Sequence, residues 1–286
     1  MRAPPDEALD RLSRGGRRAV VDRRVGGGDI SHAFKLWVGD APVFCKALPD
    51  APTGFFAAEA AGLDWLDQGV LHVPHVIDHG PTWIAMTWVS AGSGGASTDE
   101  ALGRGLAELH ASLGIPDYSA RIHPDSFIGR LPQDNAPVTA GTWAAFYRER
   151  RVFPQIRAAR AQLGPDLTRR LDALAASLED RVAPEAPSRL HGDLWGGNWM
   201  VDDLGRPVLI DPACGPGHRE LDLAMMQLFG GFSPRVFSAY AEVAPLQPGW
   251  RERTPLYQLY YLLVHVNLFG QAWVGRVRTV LDQLGA

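Results

Sequence analysis

Between residues 190 and 224 the chain reads LHGDLWGGNWMVDDLGRPVLIDPACGPGHRELDLA, and no other stretch restricts its fold and chemistry so strongly. Asp193 sits in a His-Gly-Asp turn, Asn198 comes five residues later, and Asp211 thirteen residues after that. A hairpin between 198 and 211 brings an amide and a carboxylate together at its two ends. Both are hard oxygen donors of the kind Mg²⁺ accepts alongside phosphate and water. Asp193 is then free to accept a proton from a hydroxyl. Taken singly, Asp193 and Asn198 read as turn residues and Asp211 as a strand end. The spacing of the three together argues for a site.

A second constraint comes from the use of charge. Of 28 basic residues only Lys35 and Lys46 are lysines. Lys46 stands in the middle of PVFCKAL, and Glu59 lies thirteen residues on, in a stretch otherwise rich in Ala and Phe. A compact ammonium held by a carboxylate pairs with phosphate oxygens as a point charge. The flat fork of an arginine does not substitute for it. Alone, the pair also reads as two unrelated solvated charges, and Lys35 has no assigned task. Gly26, Gly27 and Gly28 separate two β-rich runs, where glycines permit close backbone approach to an anion. They suit a plain flexible hairpin as well. No G-x-G-x-x-G opens into a helix, and no Gly-Lys-Ser/Thr follows. His72, His75 and His79 have a spacing that invites a metal reading, but Pro74 breaks a helix there and a strand would set 72 and 75 on opposite sides. They read as ordinary polar or packing residues.

The patterning divides the chain in two. At 286 residues it is long enough for about two compact units. Residues 5–14 read as a short amphipathic helix. VVDRRVGGG, SHAFKLWVG and APVFCKALP read as strands in a meander of hairpins. Residues 54–69 carry apolar residues at helical spacing and end at Gly69, and VPHVIDHG and TWIAMTWVS follow as strands. AGSGGAST, 91–98, is the best candidate for a flexible linker. Beyond it the pattern is helical: 99–113 behind Thr98 as N-cap, then 141–163, 166–182 and the chain from 220 onward. Short strands and loops at 187–217 interrupt it.

Several classes are excluded. A formal charge of −4 argues against a nucleic-acid binder. No run approaches the roughly 18 apolar residues a membrane helix needs, and MRAPPDEALDRL has no signal-peptide core. Two cysteines far apart, Cys45 and Cys214, fit a reducing cytoplasm. There is no G-x-S-x-G, H-E-x-x-H or C-x-x-C.

Together these residues resemble the kinase-like phosphotransferases, the group that includes aminoglycoside and choline kinases. HGD-L-x-x-x-N followed by I-D-P stands where protein kinases have H-R-D-x-x-x-x-N and D-F-G. The similarity is closer to the fructosamine (ketosamine) kinase family. HGDLWGGNWM, LIDPACGPGHRELDLAMMQLFGGF, FYRERRVFPQI, DSFIG and PLYQLYYLLVHVNLFG carry it in the second part, and GGGDISHAF, FCKA and AAEAAGL in the first.

That resemblance implies an α+β, protein-kinase-like, two-lobed fold. A small antiparallel-sheet lobe with one main helix would span 1–90, a hinge 91–95, and a larger, mostly helical lobe 96–286. It implies an ATP- and Mg²⁺-dependent kinase of a sugar hydroxyl on fructosamine- or ribulosamine-type substrates, free or protein-linked, in deglycation repair. Gly26, Gly27 and Gly28 would cover the ATP phosphates. Lys46 would contact the α- and β-phosphates, positioned by Glu59. Thr87, Trp88 and Val89 would flank the adenine. Asp193 would be the catalytic base, with Asn198 and Asp211 holding Mg²⁺. Trp195, His218, Glu220, Tyr261, His265 and Asn267 would lie on the substrate side. The family commonly has aromatic residues where this chain has Cys214-Gly215-Pro216, which bears on the acceptor pocket. Other readings keep the fold as an aminoglycoside or metabolite phosphotransferase, or as a nucleotide-binding pseudokinase. A cytoplasmic setting follows from the cysteines, no nucleic acid or membrane partner is expected, and a monomer is favoured.

Overall fold

The computed structural model describes residues 3–26, 31–112, 118, 122–123 and 126–286. Alternation of apolar and polar residues builds the first part. β1 (Ala19–Val25), β2 (His32–Val38), β3 (Ala41–Ala47), β4 (Val76–Gly80) and β5 (Trp83–Thr87) form one antiparallel sheet in the order β1-β2-β3-β5-β4. A strand turns successive side chains to opposite faces. Phe34, Leu36, Val43, Cys45 and Ala85 therefore share one face, covered by Ala8 and Leu12 of α1 (Asp6–Leu12). On the other face Ile84 and Met86 pack on Phe56, Ala60 and Leu63 of α2 (Phe55–Leu66). Each such fully buried large apolar side chain stabilises the fold by about 1.5–3 kcal/mol. Lys46 falls on the α2 face by the same alternation, and Glu59 falls on the buried stripe of α2 between Phe56 and Leu63.

The rest of the chain is mainly helical. α3 (Ala96–Ala111) packs against α7 (Pro234–Val243). α4 (Trp143–Phe146) runs through one π-helical stretch, Tyr147–Val152, into α5 (Phe153–Ala176). That path breaks at Gly164, before Pro165, which is where the sequence divided two expected helices. α6 (Glu220–Phe229), α8 (Trp250–Phe269) and α9 (Val274–Gln283) complete a core with α5. Between them run four short strands, β8 (Ser188–Leu190), β9 (Trp199–Val201), β10 (Pro207–Leu209) and β11 (Gly215–Gly217). β9 pairs with β10 and β8 with β11. A two-residue pair, β6 (Phe127–Ile128) and β7 (Leu131–Pro132), lies between α3 and α4.

Two local expectations are corrected. α3 begins at Ala96 behind Gly95, so Thr98 is not the N-cap. Its hydroxyl instead accepts the Gly95 N–H and donates to the Gly205 carbonyl. The segment expected to be a flexible linker is exposed yet pinned. Ala91 bridges to Asp202, and the Gly92 N–H donates to the Val201 carbonyl at 2.9 Å. A Cβ at Gly92 would stand 2.1 Å from the Asp202 carbonyl oxygen, so only glycine lets the chain lie this close to the β9–β10 hairpin.

Candidate active site

The short strands exist to present loops. Asp193 and Asn198 lie on the β8–β9 loop, and Asp211 lies on the β10–β11 loop. Backbone bonds lock the two loops together: the Ala213 N–H donates to the His191 carbonyl, and the Ile210 N–H to the Asn198 carbonyl. The His191 ring adds a cross-tie, with Nε2 on the Ile210 carbonyl and Nδ1 accepting the Asp193 N–H. Burial lowers its pKa, which keeps the ring neutral for both bonds.

Beneath the turn sits Asp222, fully buried at the start of α6. Its two oxygens accept the N–H groups of His191 and Gly192, each at 2.8 Å, and His110 lies against it at 3.2 Å. Tyr261 donates to the Gly192 carbonyl from the far side. Gly192 has φ +83°, and an added Cβ would stand 2.0 Å from the Ala213 carbonyl oxygen. The turn therefore accepts no side chain there.

Five charged or amide side chains meet above this floor. Lys46 Nζ donates to both oxygens of Glu59 at 3.1 Å and to Asp211 at 3.0 Å. Burial opposes the lysine charge, but Asp211 and Glu59 outweigh it and hold its pKa above the ordinary value. Asp211 is the only non-glycine residue with positive φ among those described, at 52°. A backbone in this region is uncommon outside glycine and clusters at functional positions. Asn198 Nδ2 donates to the Asp193 carboxylate at 3.1 Å, to the Asp193 carbonyl and to the Asp211 carbonyl. Those bonds use the NH₂ end of the amide and leave Oδ1 as its acceptor. Half-buried Asp193 has a pKa pushed up to about 7, first by burial and then by the negative charge of Asp211.

A cavity of about 480 Å³ opens on these groups. Its walls include Lys46, Glu59, Asp193, Asn198 and Asp211, and an aromatic group made of Phe229, His265, Phe269 and Trp273. Trp195, 39% exposed, stands between them with its edge toward Phe229. His265 packs at tilted angles among Phe229, Phe269 and Trp273, with its Nδ1 donating to the Tyr261 carbonyl. The carboxylates in the wall are Glu59, Asp193 and Asp211 and no others among the described residues.

Not every expected residue reaches this wall. His218 is buried on Tyr257 and faces Glu185. Glu220 is bound by both arms of Arg253, and Asn267 donates to Gln155. All three turn into the helical core, because each has a polar partner on a neighbouring helix or loop. Thr87 bonds backbone and hydroxyl to His75, and Trp88 packs near Phe44 and under Lys35. Thr87, Trp88 and Val89 are not among the residues that line the cavity. Lys35, with no task in the sequence, lies over the rings of Trp37 and Trp88. Gly26 follows β1, whereas Gly27 and Gly28 lie outside the described residues. Ser31, at the far end of the same loop, lines the cavity, as do Asn135, Phe229 and Trp273, none of which the sequence singled out. For Phe229 the Gly-Gly that follows it was the available signal. Asp202 accepts the Leu204 and Arg206 N–H groups, a hairpin-turn role.

Comparison with known proteins agrees with this geometry. The sequence model of the fructosamine kinase family matches residues 10–286. A probable ketoamine kinase of Enterococcus faecium is 36% identical over 266 residues, 90% of this chain and 92% of that one. The chloroplastic protein-ribulosamine 3-kinase of Arabidopsis thaliana is 34% identical over 268 residues, 90% and 80%. The crystal structure of a putative fructosamine-3-kinase from Thermobifida fusca superposes with TM-score 0.87 at 40% identity, covering 98% of this chain and 99% of that one. An aminoglycoside phosphotransferase shares the fold alone, with TM-score 0.61 at 18% identity over 98% and 96%. The HGD and IDP loops, the Lys46–Glu59 pair and the matched length all lead to one conclusion: this chain belongs to the fructosamine kinase family and is a phosphotransferase of the protein-kinase-like fold.

Proposed function

We propose that the cleft transfers the γ-phosphoryl group of ATP to a sugar hydroxyl of a ketosamine, at the third position as in the name of the Arabidopsis relative. One observation carries the reading: Lys46, Glu59, Asp193, Asn198 and Asp211 converge on one cavity that Phe229, His265, Phe269 and Trp273 also line. Lys46 pairs with the α- and β-phosphates while Glu59 holds its ammonium in place. The Asn198 amide oxygen and the Asp211 carboxylate are a hard-oxygen pair that suits Mg²⁺. When bound there, Mg²⁺ neutralises charge on the phosphoryl oxygens. Asp193 takes the proton from the attacking hydroxyl, and its raised pKa suits that exchange near neutral pH. Trp195 flanks the sugar. Residues 1–90 carry the nucleotide, with Gly26 to Gly28 over the phosphates and Thr87 to Val89 beside the adenine. Residues 91–95 form the hinge, and 96–286 hold the acceptor. The two cysteines, buried and unbridged, accord with a reducing cytoplasm. No helix among the described residues is long and apolar enough to cross a membrane.

Among the described residues the acceptor wall carries no acidic cluster, which favours a ketosamine over a polycation. The test is ADP release with a panel of ketosamines and aminoglycosides. Turnover with ketosamines, in a role of deglycation, is the expected result. Turnover confined to aminoglycosides reassigns the substrate, and tight Mg-ATP binding without turnover makes the protein a binding module. A second expectation concerns Lys46→Arg. A fork cannot occupy the space between Glu59 and Asp211 as the ammonium does. The ATP kcat/KM should fall about 10- to 100-fold with the ketosamine KM within about twofold, read by steady-state kinetics.

A further inference from the structure

The Asn198 N–H donates to the Trp195 carbonyl at 2.9 Å and closes a turn with Gly196 and Gly197 at its centre. Neither glycine has a positive φ. A turn built from negative φ angles accepts most residues, so backbone conformation does not call for glycine at either position. Space does. A Cβ on Gly197 would stand 2.6 Å from Trp195 Cζ2, 2.8 Å from Cζ3 and nearer still to Cη2. The six-membered ring of the indole is folded back onto the Gly197 backbone. Gly196 answers a different neighbour. A Cβ there would stand 3.1 Å from the Gly230 carbonyl oxygen, and one on Gly231 would stand 2.8 Å from Gly196 Cα. These contacts seat the turn on the segment that follows Phe229.

Trp195 lines the cavity together with Asp193 and Asn198, and its edge meets Phe229 with ring centroids 6.4 Å apart. The indole is exposed rather than packed into the core, so the turn beneath it and Phe229 beside it hold it in place. We propose that Gly197 is a positioning residue for the acceptor. By carrying no side chain it gives the Trp195 indole its seat, and so fixes the wall along which the sugar lies. The assignment rests on the ketosamine-kinase reading of the cleft, in which Trp195 flanks the sugar. Carbon atoms in ordinary contact stand about 3.5–4.0 Å apart, so a methyl at 197 would drive the ring back by about 1 Å. Every clashing atom is at the far end of an exposed side chain, so the ring yields and the turn stays. A misplacement of about 1 Å at a substrate contact costs up to about 10²-fold in rate. Asn198 closes the same turn, so the ATP KM reports whether the turn itself has moved.

Gly197→Ala, Trp195→Ala and the double variant test this as a cycle. With a fructose–lysine ketosamine, Gly197→Ala should lower kcat/KM about 10- to 100-fold, with the ATP KM within about twofold. Trp195→Ala should lower kcat/KM as well. Adding Gly197→Ala to Trp195→Ala should then change it by less than about twofold, because the methyl has no ring to displace. Losses that multiply in the double variant, an unchanged kcat/KM in Gly197→Ala, or a raised ATP KM overturn the positioning role and leave the ketosamine reading standing. Trp195→Ala turning over like wild type overturns it too, since the indole then does not flank the sugar. A wild type that releases no ADP with any ketosamine overturns both. Should Gly197→Ala melt below wild type, the double variant should melt with Trp195→Ala, and a deficit that persists there places the clash in the loop and overturns the seat.

Discussion

Asp193→Asn is expected to lower kcat about 10²- to 10⁴-fold and leave ATP affinity within about twofold. The substitution keeps the shape of the side chain. The amide oxygen still accepts from Asn198 Nδ2, so the β8–β9 loop stays in place. What is lost is the acceptor for the hydroxyl proton. Lys46, Glu59 and Asp211, which carry the proposed phosphate contacts, form their own ion-pair group and are untouched. Steady-state turnover with a ketosamine, together with calorimetric titration of Mg-ATP, reads both quantities. A kcat within tenfold of wild type, or lost nucleotide binding with retained turnover, removes Asp193 from the role of base.

Asp222→Ala should be the most damaging change to stability. The side chain is fully buried and answers two backbone N–H groups and a histidine. Removing it orphans His191 N–H and Gly192 N–H in the floor of the turn, at a cost of about 3–5 kcal/mol. For a chain of this size that corresponds to a Tm lower by roughly 10 °C. Burial alone would raise the Asp222 pKa. The His110 contact and the Gly192 N–H outweigh it and hold the group below the ordinary carboxylate range. A carboxyl depressed on folding stabilises fully above its unfolded pKa of about 3.9, and that contribution is lost as pH falls through the folded value. The gap between wild type and variant should therefore be widest above about pH 5 and narrow below about pH 4, as the proton-linked part is lost. Denaturant unfolding across that range measures it. A gap under about 1 kcal/mol at pH 7 contradicts the account.

How far the residues could be read ahead of the structure depended on how local each signal was. Strand alternation settles which face Lys46 takes, and helical spacing puts Glu59 on the stripe that meets it. Asp193, Asn198 and Asp211 flank one hairpin, so their meeting needs only short-range geometry. Asn135 was not legible. It lies in a loop without periodicity, and it is held at the cavity by Arg151, sixteen positions on. His218 and Glu220 misled for the opposite reason. They sit beside a motif in sequence, yet Tyr257 and Arg253 on α8 draw them into the core. AGSGG misled because composition reports backbone freedom and says nothing about a neighbouring carbonyl that uses up that freedom.

The pinned 91–95 segment decides where the chain tolerates extra residues. Its small, exposed, polar composition marks it as a natural place for an insertion or a fused tag. Tolerance, however, follows the hydrogen bonding of the backbone concerned. Lengthening the chain at Gly92 breaks its bond to Val201 and pushes on the β9–β10 hairpin, whose two ends bear Asn198 and Asp211. Gly15-Gly16, between α1 and β1, is exposed with positive φ at both residues and open space around each. It is the safer joint for inserted sequence, although nothing in its composition stands out beside AGSGG.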